Sequence, residues 1–386
     1  MTRSDFDIIV IGAGMAGAGV AALLAEHRRV LVLEQESQPG FHSTGRSAAL
    51  FSQIYGPEPV RALSRATHAF LLDPPAGFAE APLTRAIGAL HVASAEQKAR
   101  LDAFAALPDV GHATRKVTGE EARVLCPILR EEHVVAGVYE AGAAEMDVHA
   151  IHQGFLRLLR ARGGELATDH AVESLTRTND RWRVAAAGKV FTAEIVVNAA
   201  GAWADLVGAL AGAQAIGLQP RRRTAVLVDA PQGAAIETWP MVIDADELWY
   251  FKSDAGLLLL SPADETPTDP CDAQPDEWDV AVAVDRIETA TTLQVRRIKH
   301  RWAGLRSFVP DRRPVAGFDG QAPGFFWLAG QGGYGIQTCY GLSRLAASLV
   351  LDQVLPSELT EAGVRPADFS PARLLATPRT ALSATS

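Results

Sequence analysis

Ile8-Ile9-Val10-Ile11-Gly12-Ala13-Gly14-Met15-Ala16-Gly17 is the stretch whose reading decides the fold. Four consecutive β-branched apolar residues predict a strand buried on both faces, as in a parallel sheet. The glycines break it. Gly12 permits a tight turn, Gly14 lets backbone N–H groups approach a pyrophosphate, and Gly17 lets a helix pack closely on the strand. Residues 18–27 are rich in Ala and Leu and have helical propensity. Residues 29–33 predict a second buried strand, ending at Glu34, about 20 residues beyond the glycines, where a carboxylate accepts both ribose hydroxyls. Together these make a dinucleotide-binding βαβ unit. A glycine pattern alone is weak, because such turns arise by chance; its place between strand and helix gives it weight.

Working outward, 38–55 is a loop rich in Gly, Ser and Thr, and 59–72 predicts an amphipathic helix with Val60, Leu63, Ala66 and Phe70 on its apolar face. Residues 87–93 look strand-like and 95–106 helical. A helix is expected over 147–162, with Asp147 as N-cap and Gly163-Gly164 as its stop. Residues 173–190 predict a hairpin turning at Asn179-Asp180, and 195–197 a third buried strand. From 224 to 301 the pattern is mostly β, interrupted by one helix at about 279–289. Residues 325–329 predict a last buried strand, and 330–335 open a helix running to about 351.

Nucleotide-type segments thus stand at both ends and in the middle, with β-rich insertions between them. The expected fold class is α/β: a Rossmann-like cofactor domain formed by 1–84, 147–223 and 302–375, and a β-sheet-rich substrate domain formed by 85–146 and 224–301. Residues 376–386 read as a disordered tail.

Bulk composition narrows the function. The 386 residues carry a net charge of −9, which disfavours a nucleic-acid partner. Three cysteines without ligand spacing support neither a disulfide framework nor a metal site. No stretch is apolar enough to span a membrane, and 1–7 lack the pattern of a signal peptide. The expectation is a cytoplasmic protein, with room for peripheral contact at the inner membrane.

The glycine motif does not separate FAD from NAD. The loop Ser43-Thr44-Gly45-Arg46-Ser47-Ala48-Ala49 is small and rich in donors, which suits an extended cofactor with Arg46 near its phosphates; in isolation it is simply a flexible polar loop. Asn198-Ala199-Ala200-Gly201-Ala202-Trp203 ends a strand with small residues that allow close approach. Gly330-Gln331-Gly332-Gly333-Tyr334-Gly335-Ile336-Gln337-Thr338 offers N–H groups at a helix start, suited to negative charge on a reduced flavin. An NAD dehydrogenase has no use for this last element, so FAD is the expected cofactor.

These residues together resemble the D-amino-acid oxidase superfamily of flavoenzymes, and within it look most like bacterial FAD-dependent D-arginine dehydrogenase, from about Asp7 to Leu374. The most specific pieces are 42–49, Gly217-Leu218-Gln219-Pro220, Trp302-Ala303-Gly304-Leu305-Arg306-Ser307-Phe308 and 331–338. The resemblance implies a glutathione-reductase/D-amino-acid-oxidase type of FAD domain with non-covalent FAD. It implies hydride transfer from Cα to flavin N5, and an imino acid that water hydrolyses to a 2-oxo acid and ammonia. It also adds Ala16, Gln35 and Val172 to the cofactor site.

A buried substrate carboxylate needs cationic, bidentate donors. Arg223 and Arg306 match the two arginines that hold it in the related dehydrogenase. Arg223 alone would read as part of a solvated charge run, 221–223, whereas Arg306 sits between apolar Leu305 and Phe308. Tyr250 and Tyr55 match substrate-contacting tyrosines, Tyr55 on a mobile loop; core packing is the plain alternative for each. The carbonyl of Gly333 would face the substrate amine, with Gln337 one helical turn on. No general base is evident, and a neutral amine needs none. His42, His149 and His152 read as structural. Leu50, Ser52 and Ala89 are expected in the side-chain pocket. Leu50 and Ala89 replace a histidine and the glutamate that meets the guanidinium in D-arginine dehydrogenase, so neutral, mainly apolar D-amino acids are expected. The electron acceptor is a quinone or O2. The rivals are an O2-using oxidase, an FAD-dependent 2-hydroxy-acid dehydrogenase and a non-catalytic FAD-binding subunit.

Overall fold

The computed structural model describes residues 4–374, so the tail expected at 376–386 lies outside the described residues. A six-stranded sheet runs in the order Val315–Phe318, Phe325–Ala329, Ile195–Asn198, Ile8–Ile11, Val30–Leu33, Glu165–Ala167. Its strands are parallel except at the Val315–Phe318 edge. The period of two in side-chain direction explains why Ile8–Ile11 and Val30–Leu33 are apolar throughout. Ile8, Val10, Val30 and Val32 pack against the helices Met15–Leu24, Val148–Ala161 and Cys339–Val350. Ile9, Ile11, Leu31 and Leu33 face the other way, against a three-stranded antiparallel sheet through Trp182, Val184 and Phe191.

That small sheet contains the expected hairpin, Val172–Thr178 and Arg181–Ala186, turning at Asn179 and Asp180 with φ of 50° and 61°. A third strand, Lys189–Ala193, extends it into a meander. The helix Val148–Ala161 begins where Asp147 accepts a hydrogen bond from the Ala150 N–H at 2.8 Å and ends at Gly163 in a left-handed conformation.

A nine-stranded sheet forms the second layer system. Its central path is Gln219–Asp229, Leu257–Ser261, Tyr250–Asp254, Met241–Asp244, Ala89–Ala93, with Ile298–Phe308 paired along Gln219–Asp229. Two strands, Gln219–Asp229 and Ile298–Phe308, run through the divisions drawn at 223/224 and 301/302, so the backbone passes between the layers as continuous ladder. A small sheet of Leu50–Phe51, Ala144–Met146 and Thr84–Ala86 joins the layers. The fold is α/β, with a Rossmann-like FAD domain and a sheet-rich partner.

The glycine-rich segment after Ala329 differs from expectation. The helix starts at Cys339, not near Gly330, because Gly330 and Gly332 adopt φ of 72° and 52°, outside the right-handed helical region. Residues 330–338 form a compact turn, closed by the Tyr334 N–H on Gln331 O at 2.8 Å. Among the described residues, no helix is long and apolar enough to cross a membrane, and no group of three or more His, Cys, Asp or Glu could hold a metal.

Candidate active site

Two contiguous cavities occupy the junction of the layers, about 390 Å³ and about 60 Å³. The larger starts at the glycine turn. A Cβ on Gly12, whose φ is 98°, would stand 2.5 Å from Ala199 O, and one on Gly17 would stand 1.9 Å from Gly12 O. Only glycine allows strand, helix and the 198–203 segment to converge there. The buried Glu34 carboxylate is fixed by N–H donors of Ala13 at 2.7 Å and Glu36 at 3.0 Å, and it lines the cavity. Met15 N–H donates to Thr44 Oγ1 at 3.0 Å, which joins the helix start to the 43–48 loop.

Gly12, Gly14, Ala16, Glu34, Gln35, Ser43, Thr44, Arg46, Ser47, Ala48, Val172, Ala200, Gly201, Trp203, Gly332, Gly333, Gly335 and Ile336 all line the larger cavity. The rest of the expected cofactor set supports it from outside. Gly17 makes the helix contact. Gly45 closes the loop through its N–H on Gly40 O, and Gly330 turns the chain after the last strand. Ala49 and Gln337 border the smaller cavity. Tyr334 packs edge-on against Tyr55, and Thr338 Oγ1 donates to Tyr334 O. An elongated cradle of small residues with a fixed carboxylate at one end fits a dinucleotide. His42 Nδ1, buried on the same wall, has no partner among the described residues.

Arg46 lines the larger cavity, while the acceptors of its guanidinium belong to the substrate layer. Its guanidinium donates to the carbonyls of Ala273 and Ala303, each at 2.9 Å, and pairs with Asp272. Three acceptors from the 272–303 region take three of its five N–H donors, so it staples the cofactor loop to the substrate layer. Of the other histidines, His152 shares a hydrogen bond with Ala13 O at 2.8 Å, and neither it nor His149 lines a cavity.

Arg223, Tyr250, Arg306 and Gly333 line both cavities, and Tyr55 and Gln337 line the smaller. Arg223 and Arg306 come from the paired strands Gln219–Asp229 and Ile298–Phe308. Arg306 Nη1 donates to the Tyr55 hydroxyl at 3.0 Å, and among the described residues no carboxylate forms an ion pair with it. Burial opposes its charge, but the oxygens of Tyr55, Tyr250 and Tyr334 outweigh that and raise its pKa. Tyr250 is the reverse case: burial pushes its pKa up, and Arg306 and Arg223 more than offset this, leaving it lowered. A Cβ on Gly333 would stand 2.7 Å from Arg306 Nη1, so only glycine leaves the guanidinium in place.

Tyr55 is held by its own backbone. Buried Glu140 accepts from Ser52 Oγ at 2.6 Å and Gln53 N–H at 2.8 Å, and Gln337 Nε2 reaches Tyr55 O at 3.4 Å. Ser52 therefore faces Glu140 and leaves the side-chain pocket, contrary to expectation. Ala89 also lies outside the cavity wall. It is fully buried beside Met241, and Met241 and Ile243 take the wall position. Leu50 does line the smaller cavity, with Ala48 and Ala263.

Glu247 also lines it, from a turn where its φ is 55°. Burial raises its pKa against the pull of Arg306, Arg223 and Arg312. Glu80, Asp244, Asp246 and Glu247 all lie close in sequence to pocket segments as acids that could meet a cationic side chain, and of these Glu247 reaches the cavity wall. Met241 and Ile243 were findable from strand alternation beside Tyr250. Cys339 is buried, its thiol pushed up to about 12 by burial.

A nucleotide cradle continuous with a cavity walled by two arginines defines a flavoprotein oxidoreductase. Residues 7–349 match the FAD dependent oxidoreductase family DAO, and the chain belongs to that family. FAD is its cofactor. Mouse FAD-dependent oxidoreductase domain-containing protein 1 is 28% identical over 179 residues, 41% of this chain and 36% of that protein. Human mitochondrial sarcosine dehydrogenase is 25% identical over 284 residues, 68% of this chain and 30% of that protein. The matched part is thus about a third of each curated relative. Glycine oxidase from Geobacillus kaustophilus superposes with a TM-score of 0.78 over 91% of this chain and 96% of its own, at 23% identity.

Proposed function

We propose that the protein oxidises the Cα–N bond of a D-amino acid to an imino acid, which water converts to a 2-oxo acid and ammonia. One observation carries this: Arg306 borders the cavity with the Tyr55 hydroxyl and, among the described residues, no carboxylate as partner, and Arg223 stands on the neighbouring strand. A guanidinium kept from bulk water without an anion is costly unless a ligand supplies one. Bound FAD supplies the acceptor for the two electrons and hydrogen leaving Cα. The chain's residues do the positioning. Arg223 and Arg306 take the carboxylate, and Tyr55 and Tyr250 fix its rotation. Gln337 Oε1, buried at the cavity wall without a partner among the described residues, accepts an amine N–H together with the Gly333 carbonyl. No residue needs to act as base if the amine enters neutral.

The resemblance to D-arginine dehydrogenase in 42–49, 302–308 and 331–338 supports the D configuration. The relatives' names, sarcosine dehydrogenase and glycine oxidase, support amino-acid chemistry. The apolar wall of Leu50, Met241, Ile243 and Ala263 supports a neutral side chain. Glu247 favours a second reading, in which a cationic side chain meets that carboxylate. Quinone or O2 completes the cycle, and the proposed setting is cytoplasmic.

The test is anaerobic flavin bleaching by D- and L-amino acids, with ammonia assayed after turnover. Bleaching by D-amino acids with matching ammonia is expected. Reduction by 2-hydroxy acids alone, or by no small molecule, replaces the proposal with a hydroxy-acid dehydrogenase or a non-catalytic subunit.

Tyr55→Phe should lower kcat/KM roughly ten- to a hundredfold, because a hydrogen bond to a charged group contributes about 1.5–3 kcal/mol. The flavin spectrum should stay as it is. Parent-like kinetics in stopped-flow reduction would remove the hydroxyl from the site.

A further inference from the structure

Behind the wall of the smaller cavity, Glu265 lies between two arginines. Its Oε1 accepts from Arg312 Nη2 at 2.7 Å, and its Oε2 accepts from Arg312 Nη1 at 2.9 Å. The same Oε1 accepts from Arg223 Nη2 at 3.3 Å. Arg312 is braced for this task. Its guanidinium lies 3.9 Å from the ring centroid of Phe308, at the end of the strand that carries Arg306. Arg223 also donates its Nε to Asp264 O at 2.9 Å.

A substrate carboxylate and the Glu265 carboxylate compete for the same guanidinium. Two parallel bonds to Arg312 are stronger and more directional than one long bond to Arg223. We propose that Arg312 sets the affinity for the substrate by drawing Glu265 toward itself and limiting its hold on Arg223 to one 3.3 Å bond, a claim that rests on the carboxylate role given to Arg223 above. Arg312 is then a positioning residue, and Glu265 is a resident competitor whose hold on Arg223 is kept weak. The local charge agrees. Arg221, Arg223, Arg306 and Arg312 face Glu247, Asp264 and Glu265, which leaves one positive charge for a ligand with one carboxylate. Losing Arg312 would cancel it.

Acetate, a carboxylate without an amine, is the probe, titrated against the holoenzyme through the flavin spectrum. Arg312→Ala should weaken acetate and raise KM by roughly three- to tenfold, the range for a half-exposed charge near a bound ion. The limiting rate of flavin reduction should change less than that. Glu265→Gln should tighten acetate, and the double variant should return to parental affinity or better. If Arg312→Ala loses flavin, Arg312→Gln keeps a planar group over Phe308 and carries the same test. Unchanged binding in the Arg312 variant, or a double variant as weak as the single, overturns the proposal. Arg223→Met distinguishes the deeper failure. If it binds acetate like the parent, the carboxylate role itself falls. If it does not, while the Arg312 and Glu265 variants stay parental, only the competitor proposal falls.

Discussion

Arg306→Met is expected to lower kcat/KM by roughly 10²-fold or more while FAD stays bound. The side chain rises from a strand paired over its whole length, so methionine can fill the volume without disturbing the ladder. What is lost is the guanidinium that has Tyr55 as its hydrogen-bond partner and no ionic partner among the described residues. Truncating one member of a buried charge pair typically costs ~2–5 kcal/mol, which corresponds to roughly 10²-fold or more in rate over KM. Arg223 remains, so binding should weaken rather than vanish, and misplacement of Cα should lower the limiting rate as well. Steady-state kinetics with one D-amino acid, alongside the flavin content of the variant, decide it. Near-parental turnover would remove Arg306 from the substrate site.

The second large effect concerns the side chain. D-leucine, D-methionine or D-phenylalanine should exceed D-arginine by roughly 10²-fold in kcat/KM, with L-enantiomers inert. Leu50, Met241, Ile243 and Ala263 wall the cavity, and each CH₂ buried against them contributes about 0.8 kcal/mol. A guanidinium placed there gives up water, and an unpaired buried charge costs ~3–5 kcal/mol. Glu247 works in the opposite direction. It hangs from an exposed turn, and Arg306, Arg223 and Arg312 already draw on its charge. A cation reaching it meets a carboxyl whose ionisation burial already opposes and whose charge three arginines share, so the pair contributes about 1 kcal/mol or less. The net therefore favours the apolar substrates. One panel at one pH with one acceptor measures it, with Glu247→Gln in parallel. D-arginine as the best substrate of the parent, with that preference lost in Glu247→Gln, would show that Glu247 reads the side chain.

Where a property depends on neighbours in sequence, the sequence alone determined it. The strand–turn–helix at 8–24, the acid at 34, the Asp147 cap, the strand Phe325–Ala329 and hence the α/β class with its dinucleotide cradle follow from local periodicity and glycine spacing. Tertiary structure decided the properties that depend on which distant segment supplies a partner. Arg46 follows three acceptors at 272–303, so its guanidinium ties the cofactor loop to the substrate layer. Ser52 follows a carboxylate 88 residues away at Glu140, so it anchors the Tyr55 loop instead of lining the pocket. Ala89 shares a face with Met241, Ile243 and Tyr250 and is buried among them, so these larger side chains take the wall position. Gly330 and Gly332 turn left-handed, so the run that looked like a helix start is a turn. A side chain's hydrogen-bond partner is chosen by geometry in space, since a polar group removed from water takes whichever donor or acceptor the fold brings within about 3 Å. Sequence spacing carries that information only within a helix turn or along a strand.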